Sequence, residues 1–546
     1  MMTQADRVRL SPIPFAWALA CVIALASAFY TVPWFVVAYD SLAEANHFGW
    51  PEMISNAFGP DVEYRPLFRL ALKGSYQIFG MHLWPYQTLV LLQFACVLAL
   101  VIWLCRPIGA QRAVAACIAL SCIAGLHTSR ILFGFWPVNA GSFVLILLLT
   151  AIAIAFDART RSVGWIYFLI VLVALLSVEW GVIIVAVLPV LWLMKAPAVD
   201  RRALWWAFSG VAAYAAIRLT FSTVAAPPSF HTDSGFLFSQ LSPSELQARF
   251  GEAPWLFRVY NVASTFLTVV ASEPREGIFG FTASLLNGNV PYWRWVHVGS
   301  SLLTTIAIAI GLAVFRPSSP RDRLLCAAGL ALLVVGSAFG VPYTRDRVGM
   351  MAGVGYGLLL YVALVALLAR MPNAGWRRNA IVGCVALIGA GWVVRNAEAY
   401  FQLRDTAWDF RQEWVQRAAE SDAATQPDEI WATLQTEALD SKPDDPRLDP
   451  VWTYVLFERR FPIGAAKPLS APFDVRWKPE VTDGARGELE SQLGLTDGQR
   501  VARDPRQRTW EYRLRRPTQD RVRAVLQNAA VEDTARIDQE RFEIVE

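Results

Sequence analysis

Apolar residues run almost unbroken through eleven stretches of this chain, and the charged residues gather in the gaps between them. The stretches fall at about 13–38, 84–105, 110–126, 139–156, 162–177, 180–194, 203–221, 295–315, 323–340, 348–369 and 379–394. A helix rises about 1.5 Å per residue, so roughly 20 mostly apolar residues cross the hydrocarbon of a bilayer. The pattern predicts an α-helical polytopic membrane protein. One more apolar piece, 255–271, is followed by "SEPREG" and then "FTASLLNGNVPYWRW". Spanning, re-entrant and interfacial readings of that piece stay open.

Composition agrees with the pattern. Of 546 residues, 55% are hydrophobic and only 17% charged, and the mean hydropathy is +0.37. A soluble chain of this length needs more polar cover. The start "MMTQADRVRL" is weakly basic and "ASA" at 26–28 mimics a cleavage site, but the apolar run continues to Ala38 and reads as a retained signal anchor. All seven cysteines lie inside predicted spans, which leaves the loops without a disulfide framework or a thiolate metal site. Neither a solenoid repeat nor a nucleic-acid signature is visible.

Loop charge orients the spans, because Lys and Arg near helix ends stay cytoplasmic. Arg7 and Arg9, then Arg106 and Arg112, Arg159 and Arg161, Lys195, Arg201 and Arg202, Arg316, Arg321 and Arg323, and Arg370, Arg377 and Arg378 mark every second connection. The N-terminus is therefore expected inside. Parity closes if residues 222–294 begin and end outside, giving 11 or 13 spans. Everything after Arg395 is then extracytoplasmic. That last part is charged, Pro-punctuated and partly strand-like ("APFDVRWKPE", "RTWEYRLRRP"), with helical patterns on either side. It predicts a small α/β domain beyond an amphipathic linker helix.

Carboxylates and cations collect at the expected outer ends. Asp40 closes the first apolar run, followed by Glu44 and His47. It reads either as a reactive acid or as an N-cap for "SLAEANHF". Pro66 suits the first turn of a helix whose Arg69, Lys73 and Gln77 form a polar stripe, a pattern for a helix lying in the interface. Arg65 ahead of it could chelate a lipid phosphate bidentately or simply snorkel. His127, Arg130 and Glu179 read as pocket walls or solvated helix ends. Glu44, Asp61 and Glu63 could orient an acceptor or hold a divalent cation, but no ligand spacing supports a metal site. The aromatic loops "HFGWPEMISNAF" and "NGNVPYWRW" read as interfacial anchors or sugar-stacking surfaces.

The stretch "YRPLFRLALKGSYQIFGMHLWPYQTLVLLQF" resembles the segment after the first loop of GT-C glycosyltransferases, closest to the O-mannosyltransferase-like multispan proteins. "LHTSRILFGFWPVNAGSFVLILLLTAIAIAF", "LLSVEWGVIIVAVLPVLWLM" and "TRDRVGMMAGVGYGLLL" resemble later elements in the same order, over roughly 30–370. Two positions depart from that pattern: Ser41 stands where a second loop-1 acid is common, and Asp346 where an aromatic usually follows the arginine. The resemblance implies an α-helical polytopic membrane protein of about 11–13 transmembrane helices, GT-C type. It joins the predicted C-terminal extracytoplasmic α/β domain. The expected division is a catalytic module over 1–395 with its first outer loop at 39–83, a linker helix over 396–420 and the α/β domain over 421–546.

The resemblance further implies that one sugar passes from a polyprenyl-phosphate donor to a hydroxyl acceptor (glycan, lipid or protein) at the outer face, with inversion. Asp40 matches the family's catalytic loop-1 acid, and Arg65, Arg345 and Arg347 could hold the donor phosphate. Glu44, His47, Tyr64, His127, Arg130 and Glu179 are candidates for substrate contact. No cofactor is expected, although a divalent cation is possible; the partners are the donor, its acceptor and membrane lipids, and no nucleic acid. The expected location is the cell (inner) membrane. An envelope polysaccharide polymerase or ligase, a catalytically inactive assembly factor and a transporter are the rival readings.

Overall fold

A computed structural model describes residues 10–31, 45, 48–58, 65–80, 83–128, 140–158, 164–221, 250–251, 253–271, 277–286, 288, 290–314, 317, 319–341 and 349–420. It also describes four strands further on, with backbone alone for the strands and for 405–420. The chain divides into two compact units, residues 1–37 with 48–405, and 38–47 with 406–546.

The first unit is helical. Its helices are α1 (Ile13–Thr31), α2 (Trp50–Phe58), α3 (Pro66–Phe79), α4 (Leu83–Cys105), α5 (Ala110–Cys122) and α6 (Ala140–Ala155). Then come α7 (Trp165–Ser177), α8 (Val182–Leu193), α9 (Arg201–Phe221), α10 (Pro254–Val270) and α11 (Gly277–Leu286). The series ends with α12 (Tyr292–Ala313), α13 (Pro320–Ala338), α14 (Met350–Ala369) and α15 (Trp376–Glu420). Each apolar stretch read from the sequence coincides with one of these helices. Among the described residues, five segments are long and apolar enough to cross a membrane: Ile13–Thr31, Trp84–Cys105, Arg294–Ala313, Met350–Ala369 and Trp376–Phe401. The others are shorter or carry charge at their ends. A π-helical turn, Ile123–Thr128, interrupts the run that starts as α5, and Pro189 lies inside α8.

Helix α14 is the axis. It is buried along almost its whole length, from Met350 to Leu368. Small residues let its neighbours approach at backbone distance, the usual device where no water drives helices together. A Cβ on Gly355 would stand 2.5 Å from the carbonyl oxygen of Gly329 on α13, and one on Gly329 would stand 2.9 Å from that of Gly355. The two helices touch main chain to main chain.

Polar groups sort to the two ends of the helices. At one end, the Arg112 guanidinium grips Asp322 through two bonds of 3.0 and 2.7 Å, and also donates to the Tyr361 hydroxyl at 3.2 Å. Tyr361 donates to the Cys105 carbonyl at 2.6 Å, and Arg321 to those of Leu104 and Trp103 at 3.0 and 3.2 Å. The last carbonyls of α4, which have no partner within the helix, are thereby satisfied. Ser319 caps α13 by accepting from the Asp322 N–H at 3.0 Å. These residues belong to the basic connections of the sequence pattern.

Near the other end, α12 carries a buried polar seam of Arg294, His297, Ser301 and Thr304 at helical spacing. The Arg395 guanidinium, fully enclosed, lies 4.3 Å from the Trp392 ring centroid. Its Nη1 donates to the Ser300 and Ser301 hydroxyls at 2.9 and 2.6 Å and to the His297 carbonyl at 3.1 Å. Trp392 donates to Thr304 at 3.0 Å, and His297 pairs with Glu398. Helix α15 runs through residue 395 without a break to residue 420, over the stretch read as a linker helix, and the two compact units divide at 405/406.

The open segment 255–271 is helix α10, with Asn261, Ser264, Thr265 and Thr268 buried and Trp255, Leu256, Val259 and Phe266 exposed. Asn261 donates to the Val341 carbonyl at 3.3 Å, just past α13, while the Thr305 hydroxyl bonds the Val270 carbonyl inside α12's span. Arg294 then pairs with Ser284 of α11.

The stripe of α3 is only partly turned to solvent. Lys73 is buried, whereas Gln77, which accepts from the Trp50 indole at 2.7 Å, is exposed beside Ile78. The second unit contributes a four-stranded antiparallel sheet of β1 (Phe473–Trp477), β2 (Arg500–Asp504), β3 (Thr509–Tyr512) and β4 (Phe542–Val545), in the order β2-β3-β1-β4. A bulge interrupts the β2–β3 register between Arg500 and Ala502. Of the helical patterns expected on either side, 404–420 is the end of α15, and 520–537 lies outside the described residues.

Two outcomes follow from these contacts. Asp322→Ala strands the Arg112 cation and costs about 3 kcal/mol, the lower range for breaking a buried pair since Arg112 keeps some water contact. A double Arg112→Leu/Asp322→Leu variant recovers most of the loss, both read as the midpoint of thermal unfolding in detergent. Burial lowers the Lys73 ammonium from its usual value of 10.5. The unfolded chain then binds more protons than the folded one, so this residue's contribution to stability rises with pH towards 10.5. Lys73→Met removes that part of the slope in melting temperature against pH.

Candidate functional site

Of the residues singled out in the sequence, the described structure brings two together. Arg65 caps α3, whose first turn is Pro66 with no acidic residue, and its backbone carbonyl accepts the Arg69 N–H at 3.1 Å. Its Nε and Nη2 both donate to one oxygen of Glu179, at 3.2 Å each, across 114 residues of sequence. Both side chains keep partial access to solvent, at 29% and 37%. Such a pair is worth little to stability.

Glu179 owes its place to a sharp break between α7 and α8. Val178 is extended, its N–H bonds the Ala174 carbonyl at 2.9 Å, and one 3-10 turn, Glu179–Gly181, starts the return. Gly181 permits the turn because a Cβ there would sit 2.6 Å from the backbone of Ala174 and Leu175. The carboxylate is thus thrown out at the helix ends rather than into the core.

A second cation joins them that the sequence reading missed. On α9, Gly210, Tyr214 and Arg218 share one face at four-residue spacing. Gly210 lets α9 close on α7, with a would-be Cβ 2.9 Å from the Phe168 carbonyl. Two turns on, Arg218 Nη1 donates to the Tyr214 hydroxyl at 3.3 Å. Buried Tyr214 lies within electrostatic reach of both Glu179 and Arg65. The G-x-x-x-Y-x-x-x-R spacing was visible in the sequence, but Arg218 there sits inside an apolar window and reads as an end residue. The Phe58 and Phe221 rings, 5.6 Å apart, tie α2 to the same end of α9. Two guanidiniums and one carboxylate are therefore gathered where three helices end, which suits an anion.

Asp40, Glu44, His47, Tyr64, Arg130, Arg345 and Arg347 lie outside the described residues, as do Asp61 and Glu63. His127 belongs to the π-helical turn Ile123–Thr128, of which the backbone alone is described at that residue. Among the described residues, no group of His, Cys, Asp and Glu is arranged to hold a metal ion. No family model matches the chain, and a search of curated proteins finds no relative.

Gly181→Ala, which thrusts a methyl into the Ala174–Leu175 backbone, moves Glu179 off Arg65. Cross-linking between Cys substituted at 65 and 179 is expected to be efficient in the parent background and to drop several-fold with this change.

Proposed function

We propose that this protein is a membrane glycosyltransferase that moves a sugar from a polyprenyl-phosphate donor to a hydroxyl acceptor of the cell envelope, with inversion, at the extracytoplasmic face. The observation that carries the reading is the Arg65–Glu179–Arg218 cluster at the helix ends that the loop-charge rule assigns to the outside. It supports, from contacts, a cationic site at the place where the resemblance to GT-C enzymes expects the donor phosphate. In this reading the chain crosses eleven times, and α10 and α11 enter the bundle and return to the outer side. Their bonds from Asn261 to Val341, from Thr305 to Val270 and between Arg294 and Ser284 support that course. The C-terminal unit is extracytoplasmic.

The reaction asks for a base and for cations. Asp40 takes the proton of the acceptor hydroxyl as its oxygen bonds the anomeric carbon. The bond from that carbon to the phosphate oxygen breaks on the opposite face, and its electron pair leaves with the polyprenyl phosphate. Arg65, with Arg345 and Arg347, stabilises the charge that gathers on the leaving phosphate, in a site where fixed cations need no reorganisation.

The buried seam of α12 favours one second reading, a polar path through the bundle as in a transporter. Its hydroxyls, however, are braced by Arg395 and Trp392, and Tyr356 donates to the Ser301 carbonyl.

Membranes carrying the protein are expected to transfer labelled sugar from a polyprenyl-phosphate sugar. Asp40→Asn at matched abundance is expected to lower the rate about 10²- to 10⁴-fold while donor binding persists. Equal transfer by parent and variant removes Asp40 from the mechanism, and uptake of solute without transfer favours the path.

A further inference from the structure

We propose that Arg65 and Arg218 are the two jaws of one phosphate clamp, and that Glu179 is its internal counter-ion, displaced when the phosphate group of a lipid-linked substrate enters. This rests on the reading of the substrate as a lipid-linked phosphate. It adds a residue and an exchange step that the resemblance did not supply.

The geometry of Arg65 points to exchange. Its Nε and Nη2 form the planar edge that chelates carboxylate or phosphate oxygens, and that edge converges on one oxygen of Glu179. A pair this open to water is weakly held, and a phosphate carries more charge and more acceptor oxygens than the carboxylate it replaces. The N-terminus of α3, 14 residues long and without acidic residues in its first turn, adds its positive end beneath Arg65.

Arg218 approaches from across the site. Gly210 closes α9 onto α7, and the same face carries Tyr214 and Arg218 towards the turn that holds Glu179. Tyr214 is bonded to Arg218 and lies within electrostatic reach of Arg65 and Glu179. An anion lying over Tyr214 meets both cations.

The surroundings indicate what the phosphate is attached to. Leu219 and Phe221 follow Arg218 with 78% and 52% of their surface exposed. A hydrocarbon chain lies along such residues; free phosphate gains nothing from them.

The full-length protein in nanodiscs of zwitterionic lipid is titrated with a farnesyl or longer prenyl phosphate and, separately, with inorganic phosphate. Prenyl phosphate is expected to bind, at least tenfold more tightly than inorganic phosphate. Arg218→Gln and Arg65→Gln each weaken it about tenfold or more, and Arg218→Lys recovers part of the loss. Glu179→Gln, which removes the competitor, tightens it several-fold. A strut that merely positions Arg65 predicts the opposite sign, so weaker binding by Glu179→Gln overturns the exchange. Unchanged binding by a monodisperse Arg218→Gln overturns the second jaw, and equal affinity for inorganic phosphate overturns the lipid assignment. Prenyl phosphate bound in this pattern without sugar transfer leaves the clamp standing and removes the transferase reading. Transfer that is indifferent to Arg218 does the reverse.

Discussion

The architecture depends on how closely α13 can lie against α14. In a bilayer, lipid tails are as apolar as leucine, so burying hydrocarbon between helices gains little and van der Waals contact must hold them. Gly329 and Gly355 supply that contact by leaving out two side chains, which lets each backbone oxygen meet the other helix. With α14 enclosed on nearly every side, the remaining helices pack around it, and their ends fall into two sets. One set is closed by arginines that satisfy carbonyls and carboxylates. The other presents the Arg65–Glu179 pair to solvent.

The two sets use arginine for different ends. Arg112, Arg321 and Arg395 spend their donors on fixed acceptors: a bidentate carboxylate, the last turn of α4, and a row of hydroxyls. Each is a structural tie whose loss leaves buried or half-buried acceptors without a partner. Arg65 sits at a helix end, paired with a carboxylate that water reaches. That contrast separates a candidate binding group from a brace more clearly than charge alone does.

Much of the membrane part was legible because hydrophobic run length is a direct statement of bilayer thickness. Every apolar window became a helix, and the basic connections met one another at one set of ends. The bond between Arg65 and Glu179 was not legible, although both residues stood out individually. Nothing in local pattern joins residues 114 positions apart, and the break at Val178 with its crowded Gly181 decides where Glu179 points. The role of Arg395 was not legible either, since a lone arginine after an apolar run carries no mark of its acceptors. Its acceptors lie on α12, and only packing brings Ser300 and Ser301 beneath it. The seam on α12 was overlooked for a similar reason. Serine and threonine scarcely lower the hydropathy of a window, although at helical spacing they form a continuous edge.

The π-helical turn at Ile123–Thr128 alters the bookkeeping of helical faces. A π turn holds about one residue more than an α turn, so direction along the wheel lags by a large fraction of a right angle over six residues. A wheel drawn at 3.6 residues per turn from Ala110 therefore assigns the backbone at His127 to the wrong quadrant. Homologous chains that lack the extra residue would align here with a one-residue gap inside a membrane helix, where gaps are normally forbidden. In this protein such a gap would mark a change in which side of the helix is presented.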